Sequence, residues 1–150
     1  MAKKENYDAL KLENQLCFPL YAASREITKK YTPFLKKLGL TYTQYVVMLV
    51  LWDEKTTTVG SLCKKLYLDT GTLSPLVKTM EKKELLTRKR SENDERKVYI
   101  TITKKGEALK EKAKDIPYSV GSCISLSPED ASNLYRILYS ILDTDVEENS

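Results

Sequence analysis

Leucines at positions 12, 16 and 20 recur every four residues, and Ile27 and Tyr31 follow, so the stretch from Asn6 to Leu38 reads mostly as helix. Pro19 interrupts it: the helix either starts there, with proline in its first turn, or kinks. Pro33 marks a further boundary, and "KKLGL" ends a helix on Gly39 with lysines in its last turn. A second helix is predicted from about Tyr42 to Glu54, with Tyr45, Met48, Leu49 and Trp52 on one face. Thr56-Thr57-Thr58 breaks it. "SLCKKLYL" then reads as a short helix and "DTGTLSPLVKTMEKKELL" as another. The latter starts between Thr70 and Ser74, since Asp, Thr and Ser favour N-caps and Pro75 suits a first turn.

The period then drops to two. In "KVYITIT", Val98, Ile100 and Ile102 alternate with Tyr99, Thr101 and Thr103, and "LLTRKRS" precedes it across the polar turn "ENDER". Leu85 to Thr103 is therefore predicted to be a β-hairpin. Helix resumes from Lys104 to about Asp115, Ile116-Pro117 interrupts it, and Ser127-Pro128-Glu129 caps a last helix through Leu142. Helix, turn, helix and hairpin in that order describe a winged helix-turn-helix. The expected fold is mainly α with a small β-hairpin wing, a single domain over 1–150. The winged helix-turn-helix falls at 59–103, flanked by N- and C-terminal dimerisation helices at 6–38 and 104–145. Those flanking segments, with Leu134, Ile137, Leu138, Ile141 and Leu142 in the last helix, offer more apolar surface than a small DNA-binding core covers. A second copy of the chain is the expected partner.

Charge sharpens this picture. The net charge of +4 is too small to argue for nucleic acid alone, but "KKELLTRKR" carries five basic side chains and one acid, whereas Asp143 to Glu148 is acidic. The hairpin itself holds Arg88, Lys89 and Arg90 on its rising strand and Arg96 and Lys97 at its tip. A solvated helix end explains some of this, but a purely structural hairpin does not need that charge, and double-stranded DNA is the expected partner. The chain has no histidine, which removes His-based acid/base chemistry and most catalytic zinc sites. Its five glycines form no phosphate-binding loop. A non-enzyme without metal or cofactor is expected. The N-terminal "MAKKENYDAL" has no apolar core behind its lysines and no apolar run is long enough to span a membrane, so a cytoplasmic protein is expected.

"DERKVYITIT", Asp94 to Thr103, resembles the wing signature of MarR-family transcriptional regulators. "KLENQLCFPLYAASREITKKYTPFLKKLGLTYTQY" and "LDTGTLSPLVKTMEKKELLTRKRSENDERK" are similar to the OhrR branch, the organic-hydroperoxide-sensing repressors. The resemblance runs from about Lys11 to Lys114. It implies a homodimeric repressor whose reduced form holds an operator and whose form oxidised by organic hydroperoxide releases it. It puts the sensor on Cys17 and its tyrosine partners on Tyr21, Tyr31 and Tyr42. It also implies recognition-helix contacts at Asp69, Thr70, Thr72, Ser74 and Lys78. Wing contacts would fall at Arg88, Lys89, Arg90 and Arg96, with Asp94 bracing Arg96. Cys123, in "SVGSCISLS", resembles the resolving cysteine of two-cysteine members, whereas one-cysteine members use a small-molecule thiol.

Physical chemistry weighs on Cys17 from both sides. Free cysteines most often pack as small hydrophobes. If a helix begins near Pro19, however, Cys17 sits beside unpaired N–H groups that favour a thiolate. Tyr21, at i+4, is its helical neighbour. Tyr31 lies about 21 Å further along a continuous helix, so it reaches Cys17 only if the segment folds back or a second subunit crosses antiparallel. Cys63, with Leu62 and Leu66 on an inner helix face, is expected to pack. Two other functions remain open: a regulator of the same fold released by a small phenolic or apolar ligand, and a thiol peroxidase, in which the wing would have no role.

Overall fold

The computed structural model describes residues 6–148, with side chains described for 6–143; of the acidic stretch noted above, residues 144–148 lie beyond those described side chains. The chain divides into two compact units, residues 1–117 and 118–150.

The first unit opens with two 3₁₀ turns, Asp8–Leu10 and Leu12–Asn14, followed by α1 (Cys17–Lys37). The predicted helix thus begins late, and Pro19 lies in its first turn, where a missing N–H costs nothing. Pro33 does not end it. Its ring sits on an exposed face, and α1 runs on to bury Leu35, its one fully enclosed side chain. Gly39, at φ 68°, supplies the left-handed residue that turns the chain. α2 (Tyr42–Glu54) starts on a reciprocal capping box between Thr41 and Gln44 and buries Tyr45, Val47, Met48, Leu51 and Trp52. Leu49, expected on that buried face, is exposed.

Thr56–Thr58, expected only to break the helix, forms strand β1. It is followed by α3 (Val59–Leu66), α4 (Thr70–Lys82) and the hairpin β2 (Leu86–Arg90) and β3 (Val98–Ile102). β1 adds to the outer edge of β3, so the antiparallel sheet has the order β1-β3-β2, with Thr57 opposite Ile100 and Arg88 opposite Ile100 on the other side. Threonine fits a pleated strand as well as a turn, and pairing with β3 decides between them. Asp69 caps α4, accepting from the Thr72 N–H at 2.7 Å. That places Pro75 in the second turn rather than the first, its own N–H absent from the ladder. Leu62, Leu73, Val77, Met80, Leu86 and Ile100 close the core beneath α3, α4 and the wing.

α5 (Lys104–Ala113) is capped by Thr103 and packs against the wing base so closely that a Cβ on Gly106 would lie 2.2 Å from the Leu85 carbonyl oxygen. The Trp52 indole donates to the Gly106 carbonyl at 3.0 Å, tying α2 to the same point. Ile116 and Pro117, read as an interruption, open a short helix, α6 (Ile116–Gly121).

In the second unit, α7 (Pro128–Glu148) runs past its expected end. Ser127 caps it, accepting from the Asp130 N–H at 3.1 Å and donating back to the Asp130 carboxylate at 2.8 Å. Among the described residues, no helix is long and apolar enough to cross a membrane.

Candidate nucleic-acid interface and thiol site

α4 presents Thr72 and Lys78 to solvent, with Ser74 half-buried. Thr70 lies with its hydroxyl 3.8 Å from the Cys63 sulfur, and Cys63 is half-buried. Asp69 is occupied as the helix cap, so its carboxylate shapes the first turn of α4 rather than projecting free.

The wing separates its cations into two groups. Arg88 turns inward: its Nε and one terminal nitrogen donate to Glu81 Oε2 at 3.0 and 2.9 Å, and its backbone N–H donates to Oε1 at 3.0 Å. These bonds hold the Glu81 carboxyl below the usual carboxylate range. Glu81 was not singled out from the sequence, because a pair seven residues apart across a helix end and a strand has no local signature. Lys89, Arg96 and Lys97 are exposed, and no acid among the described residues neutralises them. Arg90 is exposed, and its guanidinium donates to the Glu95 carbonyl at 2.9 Å. Asp94 braces Arg96 through the backbone, accepting from its N–H at 3.0 Å, which leaves the guanidinium available. Ser91 accepts from the N–H groups of Asn93 and Asp94, so the turn is held by its own side chains.

Cys17 is the first residue of α1 and is exposed, so it is not a buried hydrophobe within its own chain. Leu16, at the N-cap, offers no side-chain acceptor to the first turn. Tyr21, one turn on, is exposed and carries the Arg25 guanidinium 5.4 Å from its ring centre. Tyr31 and Tyr42 are elsewhere. Their rings meet edge-on at 5.0 Å, Tyr31 reaches Tyr45 at 5.7 Å, and Tyr45 continues to Trp52 at 6.2 Å. Burial first, then Tyr31 nearby, pushes the Tyr42 and Tyr45 hydroxyls above the ordinary phenol range, so they remain hydrogen-bond donors. α1 is continuous between Cys17 and Tyr31, a separation of about 21 Å. A single chain therefore brings Tyr31 together with Tyr42 but brings neither to Cys17. Cys123, in the second unit, is exposed and donates to the Ser119 carbonyl at 3.4 Å.

A family model for the transcriptional regulator SarA/Rot matches residues 29–113. The organic hydroperoxide resistance transcriptional regulator of Bacillus subtilis (strain 168) is 51% identical over 146 residues, 97% of this chain and 99% of its own length. This chain belongs to the MarR-family winged-helix transcriptional regulators, in the organic-hydroperoxide branch. Two solved structures of AbfR, from Staphylococcus epidermidis, resemble the regulator. Reduced AbfR bound to DNA superposes with a TM-score of 0.75 at 32% identity, covering 93% of this chain and 98% of that one. The disulfide-formed AbfR gives 0.63 at 33% identity, covering 90% and 95%. The mainly helical fold with a small antiparallel wing is thus the family's fold.

Proposed function

We propose that this regulator, reduced, binds operator DNA as a homodimer and releases it when an organic hydroperoxide oxidises Cys17. The observation that carries the reading is the exposed thiol on the first residue of α1, in a chain whose wing keeps Lys89, Arg96 and Lys97 free of internal ion pairs. The relatives support it: one bears the name of a hydroperoxide resistance regulator, and a neighbouring structure is reduced and DNA-bound. Thr70, Thr72, Ser74 and Lys78 on α4, with Lys89, Arg90 and Arg96 on the wing, would meet the duplex. Asp69, Arg88 and Asp94 would hold those elements in shape.

Two copies are needed for chemical as well as apolar reasons. Leu10, Leu12, Leu16, Phe18 and Leu20 are all exposed, a patch of the kind that marks an interface. A second subunit crossing antiparallel would bring its Tyr31 and Tyr42 to Cys17, where phenol donors steady the sulfur. The Cys17 sulfur then attacks one peroxide oxygen, the O–O bond breaks, and the alcohol leaves with a proton, giving a sulfenic acid. Condensation with the Cys123 thiol of the partner subunit expels water and forms a disulfide. The reading needs neither metal nor cofactor, involves no turnover, and locates the regulator in the cytoplasm.

The test selects duplexes from a randomised pool with reduced protein, then titrates the complex with an organic hydroperoxide. Release near one equivalent per subunit, with a covalent dimer lost in Cys17→Ser and Cys123→Ser, is expected. Release that requires an added thiol makes the regulator a one-cysteine sensor. Unmodified Cys17 defeats the redox reading. A concavity of about 390 Å³ beside Leu35, Leu40 and Tyr42 favours ligand control as the second reading, and a phenolic ligand would then release the DNA instead.

A further inference from the structure

Lys83 is a half-buried cation that makes no ion pair among the described residues. It is the C-cap of α4, and its backbone N–H bonds the Thr79 carbonyl at 3.2 Å, so its main chain moves with that helix. Its ammonium crosses to the corner that joins α1 to α2. There it donates to the Gly39 carbonyl at 2.7 Å and to Gln44 Oε1 at 3.1 Å. Among the described residues, no other hydrogen bond joins α4 to that corner.

Both acceptors are fixed by the corner itself. Gly39 holds the left-handed turn at φ 68°. Gln44 is 3% exposed, and its Oε1 also accepts from the Thr41 N–H at 3.2 Å in the capping box. That box is complete without the ammonium, so satisfying Gln44 does not account for Lys83. Tyr42 follows the Thr41 cap directly, and its ring meets Tyr31 edge-on. Tyr42 therefore lies between the two acceptors in sequence, and a shift of Tyr42 carries both with it. Apolar packing is non-directional and tolerates a small rotation, whereas hydrogen bonds weaken steeply off their angle. The pair of bonds from Lys83 is thus the part of this junction most sensitive to how α4 sits against the tyrosines.

We propose that Lys83 is a latch: its two hydrogen bonds hold α4 in the DNA-competent orientation while Cys17 is reduced, and they break when oxidation displaces Tyr42. The inference rests on the redox reading above. Lys83 acts as a positioning residue, touching neither the thiol nor the duplex. Because the latch is made in one state and open in the other, removing it lowers affinity in the reduced form alone, and strengthening it raises affinity in the oxidised form alone.

The experiment measures affinity of the full-length protein for a selected duplex, before and after oxidation by an organic hydroperoxide, over a series of KCl concentrations. Intact mass confirms that Cys17 is oxidised to the same extent in every variant. Lys83→Met keeps the reach of the side chain and removes its donors. It is expected to bind about tenfold more weakly when reduced and as wild type when oxidised, so the ratio of the two affinities shrinks about tenfold. Its salt slope should stay that of wild type, since no phosphate contact is lost. Gln44→Glu keeps an acceptor that suits the capping box and gives the ammonium a carboxylate partner. It is expected to bind about tenfold more tightly than wild type when oxidised, the opposite of what an added acid does by repelling DNA. Should Lys83→Met melt early, Gln44→Glu alone decides. Unchanged or equally reduced affinity in both forms of Lys83→Met, a slope shallower by about one, or no gain in oxidised Gln44→Glu would each overturn the latch. A wild-type protein that keeps its DNA after Cys17 is oxidised would remove the redox reading itself, and the latch with it.

Discussion

Between Thr56 and Ile102 the regulator completes itself, and between Tyr7 and Tyr21 it does not. In the first region each element finds partners in its own chain: β1 and β2 flank β3, Leu62, Leu73 and Ile100 are fully enclosed, and Thr58 and Asp69 cap the two helices. In the second, Leu16 is 84% exposed and Cys17 stands open at a helix start with no side-chain cap. One region supplies its own core, strand partners and helix caps. The other leaves apolar side chains uncovered, and the thiol lies among them. Under the proposed function, a thiol placed there would report on how two subunits meet, which is where the spacing of two wings would be set.

The comparison is broken most severely in the self-sufficient region. Leu73 lies wholly enclosed on the inner face of α4, so Leu73→Ala should remove about 2–5 kcal/mol of unfolding stability, read by denaturant titration. A smaller loss would mean that α4 does not depend on the core beneath it. Leu16→Asp tests the other region. It should leave the secondary structure intact by circular dichroism while weakening self-association at least tenfold, about 1.4 kcal/mol, by sedimentation equilibrium. An unchanged association constant would mean that α1 pairs through another face.

The two regions also differed in how far they could be read from sequence. The alternation of Val98, Ile100 and Ile102 reports a strand directly, and Asp69 to Pro75 announces a helix start, because these signals are local. β1 was hidden in three threonines, since its strand character comes from pairing with β3 some forty residues on. Pro33 suggested a boundary that the chain ignores, because burial of Leu35 outweighs one missing hydrogen bond. Of the candidate site, Cys17 and Tyr21 were legible as neighbours, and the distance to Tyr31 followed from helix rise alone. The pairing of Arg88 with Glu81 was not legible, and it divides wing cations that look equivalent in the sequence.

That division sharpens the account of DNA binding. Arg96→Ala should weaken duplex affinity about tenfold across sequences and lower the salt slope by about one, because its guanidinium is free to meet phosphate. Arg88→Ala should barely move the slope, because Glu81 already neutralises it. Equal slopes in the two variants would mean that the Glu81 pair opens on DNA.

The smallest effect should come from that pair itself. Its hydrogen bonds hold the folded Glu81 carboxyl below its ordinary value. The stability it contributes is therefore fully present above the ordinary glutamate range and is lost as pH falls through the lowered folded value. With its partner side chains 30% and 36% exposed, water screens the attraction, and Glu81→Gln should cost under ~1 kcal/mol at neutral pH. The variant should lose that part of the acid dependence of unfolding, read from denaturant midpoints at stepped pH. Its freed Arg88 should meanwhile steepen the salt slope toward one more phosphate. A variant that loses stability at neutral pH without gaining slope would show that Arg88 anchors the wing and does nothing else.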